Sequence, residues 1–438
     1  MFGTSGIRGA VGDVVTTELG VALGTALGRW GATRVVIGRD PRPSGAYLVS
    51  AVASGLRQSG VDVVDIGLAA TPTIARAVGW RDADAGVAVT ASHNPPADNG
   101  FKLWLPSGQA FRPDEQAQIE SYLEEPVSAA KTAWKTVGSY NRWHGADARH
   151  VTELVDSTDV VDPLRVVIDI GNGAGQVTAV ALDELGCEVT TINGQPDGGF
   201  PGRPSEPTAE HCADLRHIVP VLDADVGLAH DGDADRLRVV DETGHFLTGD
   251  MLLTVFAQAA ASSGDTVVAP VDTSLAVEDT LAELGVDLVR TRVGDVFVAE
   301  AIREHGAVFG GEPSGAWIWP DATLCPDGPL AACRLLELVS TDQSLGQFIE
   351  AIEEYPIYRD AVEVVDKPTV MKHVREAVQD QYDDVETIDG VRVTTPDGWF
   401  LVRPSGTEPI IRITAEARKK SRAKALLSEA TGIVTSAK

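Results

Sequence analysis

An apolar strand, a polar loop and a second strand follow one another three times in this sequence, and this order constrains the fold more than any other feature. The first strands of the three sets are predicted at 85–89, 225–229 and 306–310. The loops that follow them are 90–95, 230–236 and 311–315. Units of about a hundred residues repeated in this way are typical of tandem βαβ-type domains. Each unit therefore presents one polar loop at the carboxyl end of a strand, where open α/β sheets bind ligands.

The second strand of each set returns beside the first, which predicts one antiparallel pair in an otherwise parallel sheet. A chain of 438 residues is also too long for a single core. The last part of the chain differs, because short strands and two helices surround one further loop, 403–409. We therefore predict an α/β protein with three tandem βαβ-type domains, each a mixed sheet sandwiched by helices, and a smaller C-terminal α+β domain. The predicted boundaries are 1–143, 144–247, 248–355 and 356–438.

The charge balance is strongly acidic, with 64 acidic and 36 basic residues and a net charge of −28. A surface of this sign repels nucleic acid and anionic membranes, so we expect neither as a partner. The acidic residues are spread along the whole chain, which favours adaptation of the surface to high salt and a halophilic source. A phosphate site in such a chain needs locally concentrated arginine. Six arginines lie in or near glycine-rich loops: Arg8, Arg39, Arg236, Arg292, Arg403 and Arg412.

Neither a long apolar run nor an N-terminal signal pattern appears, so we expect a soluble, cytoplasmic protein. The four cysteines fit no metal-ligand spacing and are predicted to be buried thiols in a reducing compartment. They are Cys187, Cys212, Cys325 and Cys333.

The second loop carries carboxylates at alternate positions, Asp231, Asp233 and Asp235. Three hard oxygen ligands that leave coordination positions open suit a Mg²⁺ ion that also holds a phosphoryl oxygen. The spacing is close to that of an EF-hand, but Arg236 takes the place of the required glycine and strands flank the loop. A solvated acidic turn is the remaining alternative. Arg236 would neutralise charge on the same phosphoryl group.

Ser92 lies in the first loop, just after the carboxyl end of a strand. Pro95 and Pro96 follow in the same loop and predict a turn there. An exposed hydroxyl at that position is a candidate nucleophile, although serine and asparagine are also ordinary turn residues. In the third loop, Glu312 and Ser314 lie between glycines and are candidates for binding vicinal sugar hydroxyls.

The fourth loop combines a guanidinium, two hydroxyls and a glycine, which together can bind a phosphate. These residues are Arg403, Ser405, Gly406 and Thr407. The alternative is that Pro404 and Gly406 only form the turn of a hairpin. Residues 171–175 lack the last glycine of a dinucleotide fingerprint and predict a tight strand-to-helix turn. The loops together predict a sugar site with a phosphate site on either side of it. An enzyme that moves a phosphoryl group between the two ends of one molecule requires this arrangement.

Taken in order, five motifs resemble those of the α-D-phosphohexomutase family, and the resemblance covers the whole chain. They are Phe2-Gly3-Thr4-Ser5-Gly6-Ile7-Arg8-Gly9, 90–95, 231–236, 311–315 and 403–409. The resemblance implies four domains around a central cleft, named by function as the phosphoserine, metal-binding, sugar-binding and phosphate-binding domains. It also implies an isomerase that interconverts hexose 6-phosphates and 1-phosphates through a phosphoserine and a sugar bisphosphate, which acts as activator.

By this resemblance, Ser92 would be the phosphoserine, and Mg²⁺ would bind its oxygen together with the three aspartates. His93 and Lys102 would act as acid, base or charge-stabilising groups, with Arg8 close to the phosphoserine. The phosphate that is not transferred would be held by Arg403, Ser405, Gly406, Thr407 and Arg412. The sugar would contact Glu312, Ser314 and Arg292. For the bisphosphate to turn around in the site, the fourth domain would need to open and close about a hinge near residues 355–360.

The substrate within the family is less sharply determined. Ala316 and Trp317 follow the sugar loop, where many bacterial members carry a histidine. The N-terminal motif and the sugar loop look most like those of archaeal members that act on glucosamine phosphate, and glucose or mannose phosphate is the alternative. A sugar phosphatase and a catalytically silent sugar-phosphate-binding protein are the competing classes. A small sugar phosphate is the expected partner, and a monomer or homodimer the expected state.

Overall fold

The computed structural model describes the whole chain except residues 4–5, 126–132, 160–161, 340–342 and 406–408. It has four sheets, three of them mixed and flanked by helices and the fourth antiparallel. The predicted fold class is confirmed. We number the domains 1 to 4 by these sheets, and the predicted boundaries between them stay a prediction.

Domain 1 is built on a six-stranded sheet with the order β1-β5-β4-β2-β3-β6. Its strands are β1 Ile7–Ala10, β2 Arg34–Arg39, β3 Asp62–Leu68, β4 Ala85–Val89, β5 Asp98–Trp104 and β6 Tyr140–Arg142. Its helices, with α5 leading on to the next domain, are α1 Thr17–Trp30, α2 Gly45–Gln58, α3 Thr71–Trp80, α4 Pro113–Leu123 and α5 Ala146–Asp156. Strand β5 runs antiparallel to both β4 and β1, as the strand–loop–strand pattern predicts.

Helices α1 and α2 pack with their backbones in contact at two glycines. A β-carbon on Gly24 would lie 2.2 Å from the carbonyl oxygen of Val52, and one on Gly55 would lie 2.1 Å from that of Val21. Only glycine permits this approach, so these two positions fix the helix pair that supports one face of the sheet.

Domains 2 and 3 repeat a smaller version of the same sheet. Domain 2 has the order β10-β9-β7-β8, and domain 3 has the order β12-β11-β13-β14. The elements of domain 2 are β7 Arg165–Asp169, α6 Gln176–Glu184, β8 Glu188–Ile192, α7 Ala213–Val221, β9 Val226–His230 and β10 Leu237–Asp241. Those of domain 3 are α8 Gly249–Ala260, β11 Thr266–Pro270, α9 Leu275–Leu284, β12 Asp287–Thr291, α10 Asp295–His305, β13 Phe309–Gly311, β14 Trp317–Ile318, α11 Gly328–Leu336 and α12 Leu345–Ile349.

These two domains share one hydrophobic core, which runs from Val166 in β7 through Phe256 in α8 to Trp317 in β14. The ring of Phe256 lies 5.2 Å from that of Trp317, centroid to centroid. Because a continuous core resists separation, domains 2 and 3 form a single mechanical unit.

Domain 4 has its own core and an antiparallel sheet with the order β15-β19-β18-β17-β16. Its elements are β15 Ile357–Glu363, α13 Lys367–Gln379, β16 Val385–Glu386, β17 Val391–Thr395, β18 Gly398–Pro404, β19 Ile410–Ala417 and α14 Lys420–Ser436. It docks on domain 3 through Glu416, which lies at the N-terminus of α9. The carboxylate of Glu416 accepts hydrogen bonds from Ser274 Oγ (2.6 Å) and from the backbone N–H of Leu275 (2.7 Å).

The N-terminal motif differs from its prediction as a loop. Arg8 lies in β1, which pairs with β5 in the register Arg8 to Gly100. The cause is a partner strand that lies more than ninety residues away and cannot be inferred from local composition. The other local predictions are confirmed: 171–175 is a strand-to-helix turn, and all four cysteines are buried thiols. No helix in the described parts of the chain is both long and apolar enough to cross a membrane.

Candidate active site

Ser92 lies directly after β4, at the point where domain 1 faces domain 2. Its φ is +50°, a left-handed conformation that residues with a β-carbon rarely adopt. The hydroxyl of Thr90 accepts a hydrogen bond from the Ser92 N–H (2.9 Å) and donates one to Asp40 (2.7 Å). The strained turn is therefore held by its own neighbours and by a buried carboxylate.

A fully buried arginine that sequence reasoning missed, Arg42, supports the same loop. Its guanidinium pairs with Asp40 (2.9 Å) and donates to four backbone carbonyls. These carbonyls belong to Ser92, Asn94, Pro95 and Asp98. The signal in the sequence was the Asp-Pro-Arg triplet at the end of β2, but nothing local shows that it reaches a loop fifty residues later.

The loop between β9 and β10 presents the three aspartates to Ser92. One oxygen from each carboxylate of Asp231, Asp233 and Asp235 lies within 4.8 Å of the others. Ser92 Oγ donates to Asp231 Oδ2 at 2.6 Å, so the predicted nucleophile and the predicted metal ligands meet across the domain boundary. All three aspartates are buried, which excludes the alternative of a solvated turn.

Lys102 and Thr71 complete this cluster from domain 1. Lys102 Nζ donates to Asp233 at 3.0 Å and also contacts Asp235, and Thr71 Oγ1 donates to Asp233 at 2.7 Å. Sequence reasoning missed Thr71, which opens α3 without any motif. Burial opposes the charge on Lys102, yet the two carboxylates raise its pKa overall, and it remains an ammonium.

The cluster fits a divalent cation. Asp233 Oδ1 and Asp235 Oδ1 are buried and have no hydrogen-bond partner among the described residues. Burial, with the charges of Asp235 and Asp233, raises the pKa of Asp231 well above its usual value. Unpartnered carboxylate oxygens and mutual repulsion are both relieved by a hard cation with oxygen ligands.

Three further groups predicted around Ser92 are also present: His93, Arg8 and Arg236. The pKa of His93 is lowered to about 2 by burial and by the charges of Arg236 and Arg8, so its imidazole is neutral. Its Nδ1 lies 3.3 Å from Ser92 Oγ. Arg8 has a buried Nε without a hydrogen-bond partner among the described residues. Arg236 is anchored by its backbone N–H, which donates to Asp231 at 3.3 Å.

The loop 311–315 is joined to strand β10, which follows the aspartate loop, by one backbone and one side-chain hydrogen bond. Leu237 N–H donates to the carbonyl of Gly315 (3.0 Å), and Arg238 Nη1 donates to that of Pro313 (2.6 Å). Within the loop, Ser314 Oγ lies 3.5 Å from a carboxylate oxygen of Glu312. Burial raises the pKa of Glu312 to about 7. The guanidinium of Arg292 lies 3.7 Å from the ring centroid of Phe297.

The fourth loop lies beside a cavity of about 630 Å³ between domains 3 and 4. Its polar lining consists of Asp272, Arg359, Asp360, Arg403, Ser405, Arg412 and Thr414. Arg403 forms an ion pair with Asp389 (2.9 Å). Gly406 and Thr407 lie outside the described residues. Arg359, which no motif marked, joins two predicted phosphate-binding arginines here.

A buried serine, a cluster of carboxylates, the buried carboxylate of Glu312 and an arginine-lined cavity lie on four successive domains. This arrangement is that of an enzyme that moves a phosphoryl group on a sugar. Family profiles agree domain by domain. Phosphoglucomutase/phosphomannomutase alpha/beta/alpha domains I, II and III match residues 1–129, 148–244 and 248–355, and the C-terminal domain of that family matches 361–432. The chain belongs to the phosphoglucomutase/phosphomannomutase family and is an isomerase of hexose phosphates.

Individual relatives match over the full length. A probable phosphoglucosamine mutase of Methanopyrus kandleri is 46% identical, with 99% of this chain and 97% of that protein covered. One of Methanocella arvoryzae is 43% identical over 99% of this chain and 98% of its own. Among solved structures, a family protein from Burkholderia thailandensis has a TM-score of 0.89 at 29% identity and covers 100% of this chain and 98% of its own.

Proposed function

We propose that this chain converts glucosamine 6-phosphate into glucosamine 1-phosphate through a phosphoserine at Ser92 and a glucosamine bisphosphate. The observation that carries the mechanism is the 2.6 Å hydrogen bond from Ser92 Oγ to Asp231, inside a cluster that fits a divalent cation. The substrate is supported by the full-length relatives, which are named as probable phosphoglucosamine mutases.

In the first step, the P–Oγ bond of phosphorylated Ser92 breaks and a P–O bond forms to the free hydroxyl of the sugar. The proton of that hydroxyl ends on Ser92 Oγ, so atoms and charge balance. The bisphosphate then turns around, and its other phosphoryl group returns to Ser92. The neutral His93 can relay a proton, while the Lys102 ammonium, Arg8 and Arg236 stabilise charge on the phosphoryl oxygens.

Asp231, Asp233 and Asp235, together with the Ser92 oxygen, would hold Mg²⁺. When bound, this ion supplies Lewis-acid stabilisation of charge on the transferring group. Glu312 and Ser314 bind sugar hydroxyls, and Arg292 is a further substrate-binding residue. Arg403, Ser405, Gly406, Thr407 and Arg412 bind the phosphate that stays, and a sugar bisphosphate primes the serine as activator.

We also propose the functional domains, the compartment, the source and the oligomeric state of the enzyme. The boundaries 1–143, 144–247, 248–355 and 356–438 delimit its four functional domains. The enzyme acts in the cytoplasm of a halophilic archaeon as a monomer or homodimer. Its net charge of −28, which residues 144–355 carry, supports the halophilic part of this proposal.

Phosphorus NMR in high-potassium buffer tests the substrate. Equal amounts of glucosamine, glucose and mannose 6-phosphate are mixed with Mg²⁺, a trace of sugar bisphosphate and the protein. We expect glucosamine 1-phosphate to accumulate fastest. Faster formation of glucose or mannose 1-phosphate would reassign the substrate within the family, and release of inorganic phosphate alone would indicate a phosphatase.

Ser92→Ala tests the mechanism, and we expect it to lower turnover by at least about 1,000-fold because the phosphorylated oxygen is lost. Ser107→Ala, in a turn of the same domain, is the matched control and keeps its activity. Normal turnover by the Ser92→Ala protein would refute a phosphoserine intermediate.

A further inference from the structure

Thr71, the first residue of α3 in domain 1, is bonded at two points to Asp233, an aspartate of domain 2. Its backbone N–H donates to the carbonyl oxygen of Asp233 at 2.8 Å, and its Oγ1 donates to the carboxylate Oδ2 of Asp233 at 2.7 Å. Thr71 is completely buried, and Ala70, the N-cap residue of α3, makes no side-chain hydrogen bond to the helix. Since the first N–H groups of a helix have no partner within it, Asp233 caps a helix of the neighbouring domain.

These bonds occupy one carboxylate oxygen of Asp233 and leave the other available. Oδ2 accepts from Thr71 Oγ1 and from Lys102 Nζ, the latter at 3.0 Å. Oδ1 is buried and has no hydrogen-bond partner among the described residues. Two donors on one oxygen fix the rotation of the carboxylate, so the other oxygen has a defined position before an ion arrives. A ligand that is held in place binds more tightly, because it loses less freedom on binding.

The two donors to Asp233 Oδ2 differ in charge. Lys102 is an ammonium, which repels a metal cation, and it also contacts Asp235. The hydroxyl of Thr71 is neutral, so it holds the carboxylate without opposing the charge of the ion. Thr71 is therefore the donor that favours both the geometry and the electrostatics of a metal site.

We propose that Thr71 is a positioning residue for the metal ion: its hydroxyl holds Asp233 Oδ2 so that Oδ1 is presented to the divalent cation. This inference rests on the proposed function, in which the three aspartates hold Mg²⁺. It also links metal affinity to the contact between domains 1 and 2, because the hydroxyl and the carboxylate belong to different domains. Loss of a group that orients a metal ligand typically lowers metal affinity by about 10- to 100-fold.

The variant Thr71→Val removes the hydroxyl and keeps the branched shape and the backbone N–H. We expect calorimetry on the full chain, titrated with MgCl₂ in high-potassium buffer, to show a Kd about 10- to 100-fold above that of the parent. Thr71→Ala should weaken binding by a similar factor, and Thr71→Ser, which restores the hydroxyl, should bind Mg²⁺ as the parent does.

Thr73→Val is the matched control. Thr73 lies in the same helix and is also completely buried, but its hydroxyl lies 2.8 Å from His150 Nδ1. This variant loses a buried hydrogen bond of α3 that does not involve the aspartates, so its Kd for Mg²⁺ should equal that of the parent. Thermal melting without Mg²⁺ establishes that all the variants are folded.

The dependence of turnover on Mg²⁺ gives a second readout. The Mg²⁺ concentration for half-maximal rate should rise in Thr71→Val by the same factor as the Kd. An unchanged Kd in Thr71→Val and Thr71→Ala would overturn the positioning role, and so would an equal loss in Thr73→Val, which would trace the effect to the stability of α3. A parent chain that does not bind Mg²⁺ would contradict the proposed function together with this inference.

Discussion

At the scale of single residues, the serine loop combines strain with chemistry. Ser92 has φ +50° and cannot relax, because its N–H is bonded to Thr90 and its carbonyl to Arg42. A residue with a β-carbon pays about 1–2 kcal/mol for this conformation. The position is therefore shaped for function at a cost in stability, as is common at active sites.

Two substitutions of Ser92 separate these effects. Both Ser92→Ala and Ser92→Gly lose the hydroxyl and its bond to Asp231, but only glycine accepts positive φ without strain. We expect the glycine variant to be more stable than the alanine variant by about 1 kcal/mol, after allowing for the greater freedom of glycine in the unfolded chain. The measurement is the difference between their melting temperatures. An alanine variant as stable as the glycine variant would show that the loop relaxes.

The sequence predicted the residues that carry charge or a hydroxyl in a recognisable order, such as Ser92 and Asp231. It did not predict Arg42 or Thr71, which reach the site from the end of a strand and the start of a helix. Their importance arises from contacts that join segments 50 to 162 residues apart, and no local pattern contains that information.

At the scale of elements, several contacts join domain 4 to domain 3. Arg418 pairs with Asp279, Val293 N–H donates to Asp389 at 3.2 Å, and a third contact is made by Glu416. Glu416 of β19 accepts hydrogen bonds from Ser274 Oγ, the Leu275 N–H and the indole N–H of Trp399. A carboxylate at the N-terminus of α9 also interacts favourably with the helix dipole. The hinge predicted near 355–360 adjoins this contact, since the hydroxyl of Tyr355 donates to Asp279 of the same helix at 2.8 Å.

Removal of this carboxylate should loosen domain 4 in particular. Glu416→Ala leaves the Ser274 hydroxyl and the Leu275 amide of domain 3 without their partner, for a loss of about 3 kcal/mol in docking free energy. We expect calorimetry to resolve an earlier transition for domain 4 and proteolysis to cut the chain more rapidly at residues 353–356, just before β15. The exposed Glu363→Ala, on β15 of the same sheet, serves as the comparison. A single transition at the parent temperature would show that the docking depends on other contacts.

At the scale of the whole molecule, the net charge of −28 falls within residues 144–355 and opposes close packing of domains 2 and 3. The repeated units predicted the three similar sheets, since each repeat contains its own strands. The core shared by domains 2 and 3 was not predictable, because it depends on how helices of adjacent repeats pack. The shared core stabilises the packing of domains 2 and 3, whereas repulsion between negative charges destabilises it.

Salt should therefore stabilise the protein. The Debye length falls from about 10 Å at 0.1 M to about 3 Å at 1 M salt, which removes most repulsion between surface carboxylates. We expect the melting temperature to rise by at least about 5 °C between 0.1 and 2 M KCl, more than half of it below 1 M. Sucrose, which is uncharged, controls for effects of exclusion from the surface. A melting temperature that did not change with KCl would refute the adaptation to high salt.

The bonds from Arg42 to the carbonyls of Ser92, Asn94, Pro95 and Asp98 have a consequence for redesign. They contact only main-chain atoms, so the support from Arg42 does not depend on the side chain at position 92. A protein engineer could exchange the nucleophile for another small side chain and keep the scaffold, provided that Arg42 and Thr90 are left in place. Geometry and reactivity are thus encoded at separate positions in the gene.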